Sequence, residues 1–159
     1  MTFEELIQEF CAAVEAGDGT RLGALFTPTG IYHDTFYGEY QGPEAIRGML
    51  EERFYGDAKD FLWEMTDLSA NERVGYTRWT FSYTSTMAEA EGKRVVFQGM
   101  SCFELEGGKI RKYNENFDAG KALVQLDFPI ARVEKILRRG AEEMRNAPGG
   151  GHHLSGRRG

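Results

Sequence analysis

Hydrophobic periodicity along this chain of 159 residues turns from mainly helical to strand-like after residue 60, and that change constrains the fold more than any other feature. Phe3, Leu6, Ile7, Phe10 and Val14 recur at helical spacing. Thr2 is placed to cap that helix, Glu4 and Glu5 favour its positive end, and Gly17 stops it. Asp18-Gly19-Thr20 opens a short second helix through Leu22, Leu25 and Phe26. Gly42-Pro43-Glu44 opens a third, with Ile46, Met49, Leu50 and Phe54 as its buried stripe. Between the last two, Ile31 to Tyr37 reads as a strand that Gly38 interrupts. After residue 60, four β-rich stretches (61–68, 74–87, 94–105 and 109–117) follow with no helix between them. Their separators are short and turn-prone, as antiparallel hairpins require. Helical spacing returns only at Ile130, Val133, Ile136 and Leu137. Helices first and a strand meander second predict an α+β fold, with the helices on one face of a curved sheet.

Composition removes several classes of function. No run approaches the roughly 20 apolar residues of a membrane span, and Met-Thr-Phe-Glu-Glu lacks the basic-then-apolar layout of a signal peptide, so a cytoplasmic protein is expected. Cys11 and Cys102 sit in apolar surroundings without CxxC spacing, which predicts free thiols rather than a disulfide or zinc site. A net charge of −6 argues against general binding to nucleic acid. The basic excess is confined to the C-terminal end, where residues 146–159 are glycine-rich and poor in apolar side chains. A disordered tail is expected there, and the adjacent His152 and His153 on it lack the geometry of a metal site. No GxGxxG or P-loop occurs, so no cofactor and no metal are expected.

The order of elements and the residues at their joints resemble the nuclear transport factor 2-like superfamily, in its SnoaL-like and ketosteroid isomerase-like branch. The residues that carry this are Glu9 to Asp18 (EFCAAVEAGD), Gly30 to Gly38 (GIYHDTFYG), Gly42 to Arg47 (GPEAIR) and Leu105 to Ile110 (LEGGKI). The resemblance implies a cone: helices packed in a strongly curved, mostly antiparallel sheet that encloses an apolar cavity, spanning residues 1–145 as one domain. It also implies a homodimer, a small hydrophobic and oxygenated ligand, and no membrane. Isomerases, cyclases, dehydratases, epoxide hydrolases and silent binders all occur in the branch, so fold does not choose among them.

Ketosteroid isomerisation requires a carboxylate base and two neutral donors, a tyrosine and a protonated aspartate. Asp34 matches the base. Phe10 and Phe97 stand where the two donors would be, so that mechanism does not transfer. Side-chain alternation along the last strand points Tyr113, Glu115 and Phe117 inward if the register matches the family. A carboxylate between two aromatic residues is desolvated, which raises its pKa and suits Glu115 to general acid or base work beside Asp34. His33 neighbours Asp34, so the strand turns one of them inward and the other outward unless a bulge admits both. Alternation in residues 75–83 puts Thr77, Trp79, Phe81 and Tyr83 on one face and Tyr76, Arg78, Thr80 and Ser82 on the other. The Trp-bearing face is expected inside; the inverted parity would make Arg78 a cavity cation. Candidate catalytic residues are therefore Asp34, Glu115 and His33. Tyr32, Trp63, Arg78, Trp79, Tyr83, Phe97, Tyr113 and Phe117 are the candidate pocket wall. Two functions compete: cofactor-free acid–base catalysis on the cavity ligand, and non-catalytic ligand binding or dimeric interaction.

Overall fold

A computed structural model describes residues 1–157. Helix α1 (Phe3–Ala16) starts with the capping box that Thr2 and Glu5 predict: Thr2 Oγ1 accepts from the Glu5 amide at 3.2 Å, and Glu5 Oε2 accepts from the Thr2 amide at 2.7 Å. It ends at Gly17, whose φ of 66° is the left-handed C-cap that glycine favours. The Asp18 carboxylate caps α2 (Gly19–Ala24), accepting from the Arg21 amide at 2.9 Å. Strand β1 (Phe26–Asp34) then turns back into β2 (Gly38–Gln41), a hairpin where the sequence predicts one interrupted strand. The third helical pattern is realised as α3 (Pro43–Gly48), a π-helical stretch Met49–Phe54 and one last turn, α4 (Tyr55–Asp57).

The meander follows as β3 (Ala58–Ala70), β4 (Val74–Ser85), β5 (Arg94–Glu106) and β6 (Lys109–Phe117). All six strands form one sheet in the order β2-β1-β6-β5-β4-β3. Every pairing is antiparallel except β1 with β6, so the sheet is mixed and mostly antiparallel. Strand β3 carries two register shifts, and Asp60 and Asp67, both at positive φ, sit within them. Such bulges bend a strand and increase its twist. The sheet wraps α1, whose Leu6, Ile7, Phe10, Ala13 and Val14 are buried against its inner face.

Three helices close the chain. Asp118 caps α5 (Ala119–Val124), which the sequence reading did not foresee. Beyond Pro129 comes α6 (Ile130–Asn146), in which Val133 is buried but Ile130, expected in the same stripe, is exposed. Residues 146–159 were expected to lack regular structure; Gly150–Ser155 instead forms an exposed short helix, α7. A turn at Gly149 (φ 84°) brings α7 beside the end of α6, and Gly156 caps it in the left-handed conformation. Arg158 and Gly159 lie outside the described residues. No helix among the described residues is long and apolar enough to cross a membrane.

Candidate functional site

Parity decides which side chains enter the cone. Along β1 the pattern buries Tyr32 and Asp34 and exposes His33. Strand β6 pairs in parallel with β1, Tyr32 opposite Tyr113. Two residues further along each strand come Asp34 and Glu115, which line the same cavity, close enough for the Asp34 charge to act on Glu115. The parallel pairing of the first strand with the last therefore brings together two carboxyls that lie far apart in sequence.

They face a cavity of about 80 Å³ lined by Asp34, Glu115, Tyr32 and an aromatic wall that includes Trp63, Trp79, Phe97 and Phe117. The wall's rings contact one another edge to face: Trp63 and Phe81 lie 4.8 Å apart between centroids, Trp79 and Phe117 5.7 Å. Phe97 and Phe117 stack at 4.7 Å. Asp34 and Glu115, with Asp57 nearer the α4 end, are the only ionisable acids or bases on the lining apart from tyrosines; no Lys, Arg or His among the described residues reaches it.

The two facing carboxyls have unequal surroundings. Asp34 is 5% exposed, and its Oδ1 accepts from the amides of Phe36 and Tyr37, both at 2.8 Å. Burial pushes its carboxyl up to about 6; the two amides and the nearby His33 keep it from rising further. Glu115 has less support. Its Oε1 is shut off from solvent and has no hydrogen-bond partner. Burial first, and the Asp34 charge second, hold its carboxyl well above the usual carboxylate range, with only the Thr35 amide opposing. Both carboxyls are thus harder to ionise than exposed ones, Glu115 more so than Asp34, the kind of difference that acid–base pairs require.

Other polar atoms form a chain beneath the cavity. Trp79 Nε1 donates to Ser101 Oγ at 2.8 Å, and Ser101 Oγ shares a 2.9 Å hydrogen bond with the Tyr113 hydroxyl. Trp79 fits because Gly99, directly opposite it on β5, has no side chain: a Cβ there would lie 2.5 Å from the indole. Trp63 Nε1 is also buried and has no partner, and the buried Tyr32 hydroxyl lies beside that of Tyr113. Trp63 is itself anchored from α1, its backbone amide donating to Glu15 Oε1 at 2.8 Å.

Of the residues expected at the site, Asp34, Glu115, Tyr32, Trp63, Trp79, Tyr83, Phe97 and Phe117 line the cavity. Three do not. His33 points outward from β1, where its Nδ1 lies 3.6 Å from Glu39 on β2; without a bulge at that point only one of His33 and Asp34 faces in. Arg78 is on the outer face of β4 with its side chain 70% exposed and 3.5 Å from Asp67, because Trp79 takes the inner position. Tyr113 faces inward but lies behind the lining, its ring 4.5 Å from Tyr32. The sequence reading missed Tyr37 and Asp57, whose side chains join across the cavity wall by a 2.5 Å bond from the Tyr37 hydroxyl to Asp57 Oδ2. Phe81 carried a signal, since it shares the Trp79 face; Asp57, in the joint between helix and strand, carried none.

With this geometry in place, comparison supplies the class. The SnoaL-like domain family matches residues 7–113, two thirds of the chain, and the protein belongs to that family. Among solved structures, a ketosteroid isomerase-like protein from Catenulispora acidiphila in complex with trimethylamine is 18% identical, with a TM-score of 0.72 over 82% of this chain and 98% of its own. An LEH-like epoxide hydrolase from M. tuberculosis is 18% identical, with a TM-score of 0.63 over 82% of this chain and 93% of its own. A putative polyketide cyclase from Xanthomonas campestris is 16% identical, with a TM-score of 0.64 over 77% of this chain and 95% of its own. At these identities the likeness establishes the shared cone fold. No curated protein matches the sequence.

Proposed function

We propose that the protein is a cofactor-free acid–base catalyst acting on a small, neutral, oxygenated hydrophobic molecule held in the cone. One observation carries this: Asp34 and Glu115 share one aromatic cavity but differ in environment, Asp34 accepting from two amides while Glu115 Oε1 has no partner. The Asp34 carboxylate takes a proton from a carbon beside the ligand's oxygen-bearing carbon. The Glu115 carboxyl gives its proton to the ligand at a second position and is left ionised. Return of the proton from Asp34 to Glu115 resets the pair, so the rearrangement balances without an oxidant or reductant. A positioned acid or base of this kind contributes about 10²- to 10⁴-fold to rate. A lining without cations disfavours anionic ligands, and the outward Arg78 removes the cation expected under inverted parity. Exposed Leu62, Tyr76, Val96 and Met100 on the outer sheet face support the expected homodimer.

A second reading rests on the same walls. Aromatic rings around buried carboxyls, with no cation present, also suit a small ammonium ion held without reaction, and the Catenulispora protein is in complex with trimethylamine. Native mass spectrometry of the purified protein identifies the occupant. Turnover of that occupant by wild type, Asp34→Asn and Glu115→Gln then tests catalysis: loss of at least about a hundredfold in either variant supports it, and unchanged turnover in both refutes it.

A further inference from the structure

The turn between β1 and β2 serves both carboxyls. Beyond Asp34 the chain reverses through Thr35, Phe36 and Tyr37 before β2 begins at Gly38. Three successive backbone amides of that turn act on the site. Those of Phe36 and Tyr37 donate to Asp34 Oδ1, and the Thr35 amide opposes the rise of the Glu115 carboxyl. Two donors fall to one acid and one to the other, so where these three residues sit sets how unequally the pair holds protons. Little else fixes them. Strand β2 has four residues, lies at the sheet edge and pairs with β1 alone. Among the described residues the turn's own side chains make one hydrogen bond, from the Tyr37 hydroxyl to Asp57 Oδ2 at 2.5 Å. Phe36 and Tyr37 add ring contacts, 5.4 Å to Phe117 and 6.0 Å to Phe54 between centroids. Asp57 is a firm post for that bond: it ends α4, and its carbonyl accepts from the Thr86 amide at 2.8 Å, just past β4. Its charge is not among those that move either carboxyl.

We propose that Asp57 is a positioning residue for the carboxyl pair: through the Tyr37 hydroxyl it holds the β1–β2 turn where the turn's amides serve Asp34 and Glu115. This rests on the acid–base reading for its purpose, since the placing of these amides matters to a pair that divides its protons unequally. A bond that only stabilised the hairpin would leave the titration of both carboxyls where it is.

The test follows the side-chain carboxyl ¹³C signals of Asp34 and Glu115 against pH in wild type, Tyr37→Phe, Asp57→Ala and Asp57→Asn. Asp34→Asn and Glu115→Gln assign the signals. The other titratable groups around Asp34 are Tyr32 and His33 on β1, Tyr113 on β6 and Tyr83 on β4, and every variant keeps them. Tyr37→Phe and Asp57→Ala each lose the bond and release the turn. The Asp34 titration, at about 6 in wild type, should then move up by about one pH unit, what one amide bond to a carboxylate is worth. Glu115 should move up as well, since the Thr35 amide leaves it. Asp57→Asn keeps an oxygen that accepts from the Tyr37 hydroxyl and should keep the wild-type curves. An Asp34 titration that stays or falls in the disrupted variants overturns the proposal, and so does a shift in only one of the two when both are folded. Asp57→Asn behaving as Asp57→Ala overturns it too, because the charge and not the bond would then be acting. The disrupted variants break one bond from opposite sides, so a folding defect in either leaves the other to decide. These titrations need no ligand and no turnover. Unmoved titrations refute the positioning role alone; unchanged turnover in both Asp34→Asn and Glu115→Gln refutes the catalysis alone.

Discussion

Replacing Asp34 by Asn should make the protein more resistant to unfolding at alkaline pH while ending proton abstraction. Asp34 titrates at about 6 in the folded protein against an ordinary value of 3.8. Across that window the folded state retains a proton that the unfolded chain has released. Stability is therefore highest in this respect below about pH 4 and is lost as pH rises through about 6. Each pH unit between the two values corresponds to about 1.4 kcal/mol, so an ionised Asp34 costs the fold about 3 kcal/mol by pH 8. About half of this, about 1.5 kcal/mol, develops between pH 5 and pH 8. The variant has no such titration, and its side-chain oxygen can still accept from the Phe36 and Tyr37 amides. Other groups titrate over the same range, but they do so in both proteins and cancel in the comparison.

The assay is urea denaturation of wild type and Asp34→Asn at pH 5 and pH 8. The variant's stability relative to wild type should rise by about 1.5 kcal/mol between the two. Interaction with Glu115 works in the same direction. The Asp34 charge contributes to the raised Glu115 carboxyl, so removing it makes Glu115 easier to ionise at pH 8. The difference should therefore reach or exceed the value worked from Asp34 alone. A relative stability constant to within about 0.3 kcal/mol would show that Asp34 is not titrating in a desolvated site.

Four further outcomes follow from the packing. Gly99→Ala places a Cβ 2.5 Å from the Trp79 ring and 2.5 Å from the Asn116 carbonyl oxygen, so urea denaturation should show a loss of about 1–3 kcal/mol. The same variant should bind cavity ligands more weakly, as the displaced indole leaves Ser101. Tyr55→Phe removes a hydroxyl that donates to the Val14 and Glu15 carbonyls at 2.8 Å each, at a cost of about 1–2 kcal/mol by thermal or urea unfolding. Arg78→Ala should change stability by less than about 0.5 kcal/mol and ligand affinity not at all, since the side chain is on the outer face; a change in affinity would place it in the site after all. Turnover should rise as pH increases through about 6, where Asp34 ionises, and fall again at higher pH once Glu115 loses its proton.

The fold was legible where local signals agree with tertiary structure. Thr2, Asp18 and Pro43 mark helix starts that form as read, and strand β6 matches its predicted range residue for residue. The Trp-bearing face of β4 was expected inside with the inverse parity left open, and the structure buries Trp79 and exposes Arg78. What was illegible has no local code. Whether Met49–Phe54 winds as an α- or a π-helix depends on where Phe54 and Tyr55 must reach: one to the cavity, the other to the α1 carbonyls. The bulges at Asp60 and Asp67 use aspartates at positive φ, a conformation their short polar side chains tolerate but that marks no position in the sequence. The Tyr37–Asp57 bond joins a hairpin turn to a helix end 20 residues away, and neither residue advertises it.

Asp34 and Glu115 were both named from sequence, but their partnership depends on the β1–β6 pairing, the sheet's one parallel register. That pairing also explains why the site is expensive to keep. A strand buried on its inner face is normally filled with apolar side chains, as Phe26, Tyr32 and Ile110 fill this one. At the end that opens on the cavity the same two strands carry two carboxyls, and the layer around them holds an unpartnered indole. Each buried polar atom left unpaired costs about 1–3 kcal/mol, and Trp63 Nε1 and Glu115 Oε1 carry that cost at this cavity. Stability alone would select hydrophobic residues at these positions. Keeping two carboxyls in one small aromatic cavity gives up that stability, which fits the catalytic role proposed for them.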